Sequence, residues 1–316
     1  MESINTKYGV LKGLNYVKYY ADGAMKECTL DKLNKLETPY GLLIPKYEYG
    51  EERSKHIPSV AFYNNGNLKK IYLEKQTDVN TSIGILPAEF ITFYEDESIK
   101  RIFPLNGKIT GYWSEKDEYN LAEEIEIDIS TGKLKEKIIS VYFYKSGNIK
   151  SITFWSKNDI KINSPLGDVF VRIGVSFYED GKLKSFEPAK PTAISTEIGT
   201  IMAYDTQAMG IHGDSNSVKF SNTGRVQSLI TSTDSIEVIS KKGEKSLYEP
   251  LLKSSVIDEN FMEIVPLNIE FHEYKVKFSS GIHHRFPAEY IINQYNFHIK
   301  SSPFEESSPC SSCTGY

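Results

Sequence analysis

The chain has 316 residues, a formal net charge of −5, 40% hydrophobic residues and three cysteines. The hydrophobic content suffices for a core, no apolar run approaches the ~18 residues of a membrane-spanning helix, and the acidic balance gives no general attraction to nucleic acid. The opening MESINTKYGV lacks the charged-then-apolar layout of a secretion signal. With so few cysteines, the reducing cytoplasm is the expected compartment.

From Val17 the chain reads VKYYADGAMKECTL, and this pattern returns five times. The later copies are VAFYNNGNLKKIYL from Val60, ITFYEDESIKRIFPL from Ile91, VYFYKSGNIKSITF from Val141, VSFYEDGKLKSF from Val175 and VKFSNTGRVQSLIT from Val218. Val60 and Phe62 alternate with Ala61 and Tyr63, the period of two of a pleated strand. The short polar residue and glycine that follow suit a type I turn with a left-handed residue, closing a hairpin with a bulge. Glycine takes that position because it has no Cβ to clash. In the third copy Glu97 stands there instead. Keeping the geometry would cost roughly 1–2 kcal/mol, so this loop is expected to be longer or distorted.

Between the hairpins a second element recurs: TPYGLLIP from Thr38, TSIGILPAEF from Thr81, SPLGDVFVRI from Ser164 and TEIGTIMAYD from Thr196. It reads as a turn opening another strand. The unit is therefore a larger β module repeated with drift. LAEEIEIDI from Leu121 could be a short helix, but Ile125, Ile127 and Ile129 alternate as in a strand. The expected fold is all-β, with antiparallel hairpins stacked in a curved sheet array, an open meander or solenoid-like, with a propeller as the alternative. The expected organisation is a hairpin array over 1–245, a β-rich cap over 246–300 and a flexible tail over 301–316.

The hairpin copies resemble degenerate MORN-like repeats of bacterial proteins, the FYxNGxLK type often labelled as an antitoxin component. The resemblance covers the six hairpins; the second half of a standard unit is absent. It implies an open β-sheet array that makes protein or membrane contacts and has no catalytic residues.

Two rows accompany the hairpins. Lysine follows the turn at Lys26, Lys69, Lys100, Lys150 and Lys184, and tyrosine precedes it at Tyr20, Tyr63, Tyr94, Tyr144 and Tyr178. The lysines read first as solvated guards of sheet edges and second as a docking stripe for an acidic partner or phosphate. The tyrosines read first as cross-strand packing.

Three segments break the repeat, and function is expected where regular structure is interrupted. The first, from Phe103, carries Trp113, Glu115, Asp117, Glu118, Glu123 and Glu124, which suit a solvated loop or a site for a cationic ligand. The second, AYDTQAMGIHGDSNSVKF from Ala203, holds Asp205, His212 and Asp214. His-x-Asp on a loop can ligate a metal or supply a base for a hydrolase-like site, although the segment is also ordinary turn chemistry. The third is the C-terminal Cys310-x-x-Cys313, half of a tetrahedral zinc or iron–sulfur site, whose other ligands could be His283, His284, His298 or Cys28. The leading expectation is a cytoplasmic repeat protein that holds a protein partner on a sheet face, working by binding rather than catalysis. A metal or redox accessory role through the cysteine pair is the alternative, with no membrane span and no nucleic acid.

Overall fold

The computed structural model of the chain describes residues 3–48, 57–106, 115–155, 160–208, 213–255, 262–280 and 288–302. Among these, regular structure is β apart from one α-helix, Glu115–Leu121, and one 3-10 turn, Ile292–Gln294. None of the described helices is long and apolar enough to cross a membrane. The chain forms two compact units. The first comprises Met1–Asn158, Ile173–Lys184 and Gly210–Asp214; the second comprises Asp159–Arg172, Ser185–Met209 and Ser215–Tyr316.

In the first unit the hairpin copies lie side by side. The antiparallel order is Leu14–Tyr19, Met25–Leu30, Val60–Phe62, Leu68–Thr81, Gly84–Phe93, Ile99–Phe103, Gly132–Phe143, Ile149–Phe154 and then the second half of Gly167–Phe177. The period-two pattern determines which residues face inward. Val60, Ile71, Ile91, Ile102, Val141, Ile152 and Val175 stand opposite one another strand by strand, each at most 1% exposed. β-Branched side chains pack well on such a pleated face. Phe62, Phe93, Phe143 and Phe177 form a second buried row beside it. Among the described residues Leu14–Tyr19 is paired on one side only, as is Ala288–Ile291 in the second unit. Neither series closes into a barrel, and the expected open meander describes the sheet better than propeller blades.

Every hairpin turn has one geometry. Tyr63 N–H donates to Asn67 O at 2.8 Å and Gly66 N–H donates to Tyr63 O at 3.0 Å, with the register shifting just beyond. The same two bonds recur at Tyr20, Tyr94, Tyr144, Tyr178 and Ser221. They recur once more at Ser240 and Gly243, a seventh copy that the sequence reading missed because it lacks the aromatic and Asp/Asn signals. The Asp or Asn in the turn accepts from the backbone two residues on, as Asn65 does from Asn67 N–H at 2.9 Å. That bond explains the preference for a short polar side chain.

The third turn corrects the expectation of a longer or distorted loop. Glu97 adopts the left-handed conformation, φ +71°, and the turn keeps both bonds. Its neighbours hold it there. Its carboxylate accepts from Tyr8 Oη at 2.7 Å and from Lys7 Nζ at 2.5 Å, and its carbonyl accepts from Tyr40 Oη at 3.1 Å. These charge-assisted bonds offset the conformational cost.

The Thr-x-x-Gly element is itself a hairpin tip, not only a strand opening. It closes the ribbons Leu36–Thr38/Gly41–Leu43, Leu68–Thr81/Gly84–Phe93, Ile160–Ser164/Gly167–Phe177 and Thr192–Thr196/Gly199–Ala203. Ser3–Thr6/Gly9–Lys12 is a further example that sequence reading overlooked. In each, the first hydroxyl donates to the glycine carbonyl and accepts from the residue between, as Thr38 does at 2.7 and 3.2 Å. Two tips of the first unit pack on its phenylalanine row. Tyr8 is 4% exposed, stacks on Phe62 and accepts from Leu68 N–H at 2.8 Å, while Tyr40 stacks on Phe93. Ribbons thus cover the inner face of that sheet at these copies.

In the second unit the strands Leu183–Pro188, Val218–Phe220, Val226–Thr231, Leu267–His272, Lys275–Ser280 and Ala288–Ile291 pair in that order. A separate three-stranded sheet sets Asp234–Ser240 between Lys245–Tyr248 and Tyr295–Ser301.

Candidate functional site

On the outer face of the first unit the tyrosine and lysine rows meet. Tyr63, Tyr94, Tyr144 and Tyr178 each stand one residue beyond the buried phenylalanine row, so alternation turns them outward, while Tyr20 follows the exposed Tyr19. The hydroxyls then reach the next copy: Tyr20 Oη donates to Phe62 O, Tyr63 to Phe93 O, Tyr94 to Phe143 O and Tyr144 to Phe177 O, all at 2.9 Å. Asn67 Nδ2 and Asn148 Nδ2 add parallel links to Glu95 O and Glu179 O, at 2.7 and 2.9 Å. The packing role expected of the tyrosines is therefore joined by a hydrogen-bond ladder.

Each lysine lies within reach of the tyrosine of its own copy, although Lys150 is nearer Tyr142, 4.4 Å from its ring and 3.4 Å from its hydroxyl. The ammonium-to-ring distances are 5.6 Å for Lys26 over Tyr20, 5.3 Å for Lys69 over Tyr63, 5.6 Å for Lys100 over Tyr94, 5.6 Å for Lys150 over Tyr144 and 5.4 Å for Lys184 over Tyr178. Such cation–π contacts orient the side chain without neutralising it. Among the described residues none of the five forms an ion pair with a carboxylate. The loops beside the row carry exposed acids at Asp22, Glu95, Asp96, Glu179 and Asp180. The outer face is a narrow basic, aromatic strip with an acidic rim.

Asp214, also in the first unit, occupies the same face further from the loops. It accepts from Ser151 Oγ, and its other oxygen pairs with Arg101 Nη2 at 3.1 Å. Gly213 N–H donates to Thr153 Oγ1 at 3.0 Å, and the glycine lies against Ile152 and Gly174, where no side chain would fit. These contacts satisfy Ser151 and Thr153, which are each 1% exposed, as buried hydroxyls require.

Asp205 belongs to the second unit and has separate partners. Its Oδ1 accepts from Gln207 N–H at 2.8 Å, and its backbone carbonyl accepts from Arg172 Nη2 at 2.6 Å. Burial pushes its carboxyl above the usual range, opposed by the Gln207 bond and by Arg172. The third member of the expected trio, His212, lies outside the described residues. Beside Asp205 sits a residue that the sequence reading did not single out, Glu187, only 1% exposed. Its Oε2 accepts from Ser217 N–H and Oγ at 2.8 and 2.7 Å, while Oε1 faces Arg172 Nη2 at 3.6 Å without a hydrogen bond. Burial raises its carboxyl to about 7 against the lowering effects of Ser217 and Arg172. Alternation places Glu187 on an outward position, so no sequence signal announced its burial.

The first break contributes the helix Glu115–Leu121, which carries Asp117 and Glu118 and for which no helix was expected. Glu123 and Glu126 help line a cleft of about 240 Å³ with Pro87, Pro104 and Leu105. The alternation of Ile125, Ile127 and Ile129 forms the strand Glu124–Ile129. Trp113 lies outside the described residues, as do Cys310, Cys313, His283 and His284. His298 is on Tyr295–Ser301 with Nδ1 3.9 Å from Glu237 Oε2. Cys28 is a fully buried thiol opposite Val60, pushed up to about 12 by burial. Among the described residues no three His, Cys, Asp or Glu side chains converge to hold a metal ion. The chain matches no known family model and no curated sequence.

Proposed function

We propose that the chain is a repeat-based binding protein that holds a protein partner on the outer face of its first unit. One observation carries this reading: five copies present the same lysine in register, held over tyrosine rings (four on the tyrosine of their own copy, Lys150 between Tyr142 and Tyr144) and without a carboxylate partner among the described residues. Lysines kept only for solubility need no common orientation. The inner face of these copies is occupied by ribbon tips such as Tyr8 and Tyr40, which leaves the outer face for recognition. The likeness of the hairpins to MORN-like arrays agrees with binding rather than catalysis.

Photo-crosslinking in cells tests the reading. A benzoylphenylalanine at Lys69 or Lys150 is expected to trap the same discrete protein, and one at Leu247 in the second unit is not. Equal patterns from all three positions, or none from any, would remove the proposal.

A further inference from the structure

Resting on that reading, we infer that the lysine row receives an extended acidic peptide segment in the polyproline II conformation, with a carboxylate at every third residue. The argument is one of spacing. Each copy supplies two neighbouring strands to the sheet, and strands lie about 4.8 Å apart, so successive lysines are stepped by about 9.6 Å. A polyproline II chain has three residues per turn and rises about 3.1 Å per residue. It therefore presents every third side chain on one side at about 9.3 Å, close to the step of the row. A β-strand does not match, because side chains three apart point to opposite faces. The five lysines span four steps, about 38 Å, which corresponds to about 13 residues of such a segment.

The chemistry agrees with the spacing. Lys26, Lys69, Lys100, Lys150 and Lys184 offer five ammonium groups held above aromatic rings. Aromatic-lined surfaces suit proline-rich chains, whose conformation is already ordered before binding. The flanking acids select for a narrow ligand. Asp22, Glu95 and Glu179 are exposed next to the row, as are Asp96 and Asp180, which pair with Lys145 and Lys182, and the whole chain carries a net charge of −5. A bilayer or a nucleic-acid duplex would cover this rim together with the lysines and meet repulsion there. A single extended chain lies along the row alone.

Fluorescence anisotropy on the full chain tests the inference with a labelled peptide of about 13 residues, Glu-Pro-Pro repeated and closed by Glu. The comparators are a peptide of identical composition with its glutamates contiguous, vesicles containing phosphatidylserine, and an oligothymidine of matched length. The periodic peptide is expected to bind about tenfold more tightly than the contiguous one and to weaken as salt rises. Replacing all five lysines by Gln is expected to cost about tenfold, whereas replacement by Arg preserves binding. Equal affinity for the two peptides, stronger binding to vesicles or oligothymidine, or an unaffected five-Gln variant would each overturn the inference. A benzoylphenylalanine at Tyr63, placed in the parent and in the five-Gln variant, separates the two ideas. A discrete protein trapped in the parent while the periodic peptide shows no preference, or one still trapped in the five-Gln variant, keeps the binding face and removes the peptide inference; no protein trapped in the parent removes both.

Discussion

Removing the Glu97 side chain separates two opposing contributions to the third hairpin. The residue holds φ +71°, a conformation that costs a non-glycine residue roughly 1–2 kcal/mol. Against this stand the bond from Tyr8 Oη, on a side chain 4% exposed, and the ion pair with Lys7, whose side chain is 44% exposed. Leaving the Tyr8 hydroxyl without its acceptor costs about 1–3 kcal/mol, and the exposed Lys7 pair adds about 0–1 kcal/mol. Glu97→Ala keeps the strain and loses both contacts, so a loss of about 2–3 kcal/mol is expected. Glu97→Gly loses the same contacts but relieves the strain, so it should be about 1 kcal/mol more stable than the alanine variant. Urea unfolding with a common slope measures both, and a cycle with Tyr8→Phe should show coupling above about 0.5 kcal/mol. An alanine variant as stable as the parent would refute the reasoning, because it keeps the strain and the carboxylate contacts would then contribute nothing. The pH dependence carries the same signature. The Lys7 bond, then the Tyr8 bond, holds the Glu97 carboxyl below the ordinary glutamate range. Its contribution is therefore present above that range and lost as pH falls through the lowered value.

Glu187 has the opposite sign. Its carboxyl is raised to about 7 by burial, so the folded state holds the proton more tightly than the unfolded chain. Stability from this group is complete below the ordinary glutamate value, about 4.3, and is lost as pH rises towards 7. Glu187→Gln should flatten the urea midpoint between those limits; a parent protein already flat there would contradict the assignment. Tyr144→Phe removes the bond to Phe177 O and should cost about 0.5–1.5 kcal/mol, and no change in urea stability would remove the ladder's energetic role. At Gly174 a Cβ would run into Gly213 and lie 3.1 Å from Ile152 O. Gly174→Ala should therefore cost about 1–3 kcal/mol in urea unfolding and speed amide exchange at Gly213, and unchanged values for both would show that the close approach is relieved without strain.

The hairpins were legible because their instructions are local. Alternation assigned Val60 and Phe62 to the core, and a polar residue before glycine defined the turn. The seventh turn escaped because Ser240-Lys241-Lys242-Gly243 keeps only the glycine of that pattern. Ser3–Thr6 and its partner strand escaped because one Thr-x-x-Gly near the start resembles many ordinary turns. Glu97 was misjudged for a different reason. The local cost was estimated correctly in kind, but the compensation comes from Tyr8 and Lys7, about ninety residues away in sequence. Long-range partners also hide Glu187, which reads as an exposed strand residue until Ser217 covers it. In the second break, Asp205 and Asp214 each make bonds within their own unit that spacing in the sequence does not announce.

The tyrosine ladder also gives the array a direction. Each of the four rungs runs from a hydroxyl in one copy to a carbonyl in the following copy. Any interior copy thus presents the acceptor its predecessor requires and the donor its successor requires. A lineage of such chains can lengthen or shorten by whole modules, because excising the second copy brings the Tyr20 hydroxyl to an equivalent acceptor at Phe93. The sixth copy has Ser221 in the donor position, whose hydroxyl is too short to continue the series. Growth by duplication is therefore compatible with the ladder of the first unit.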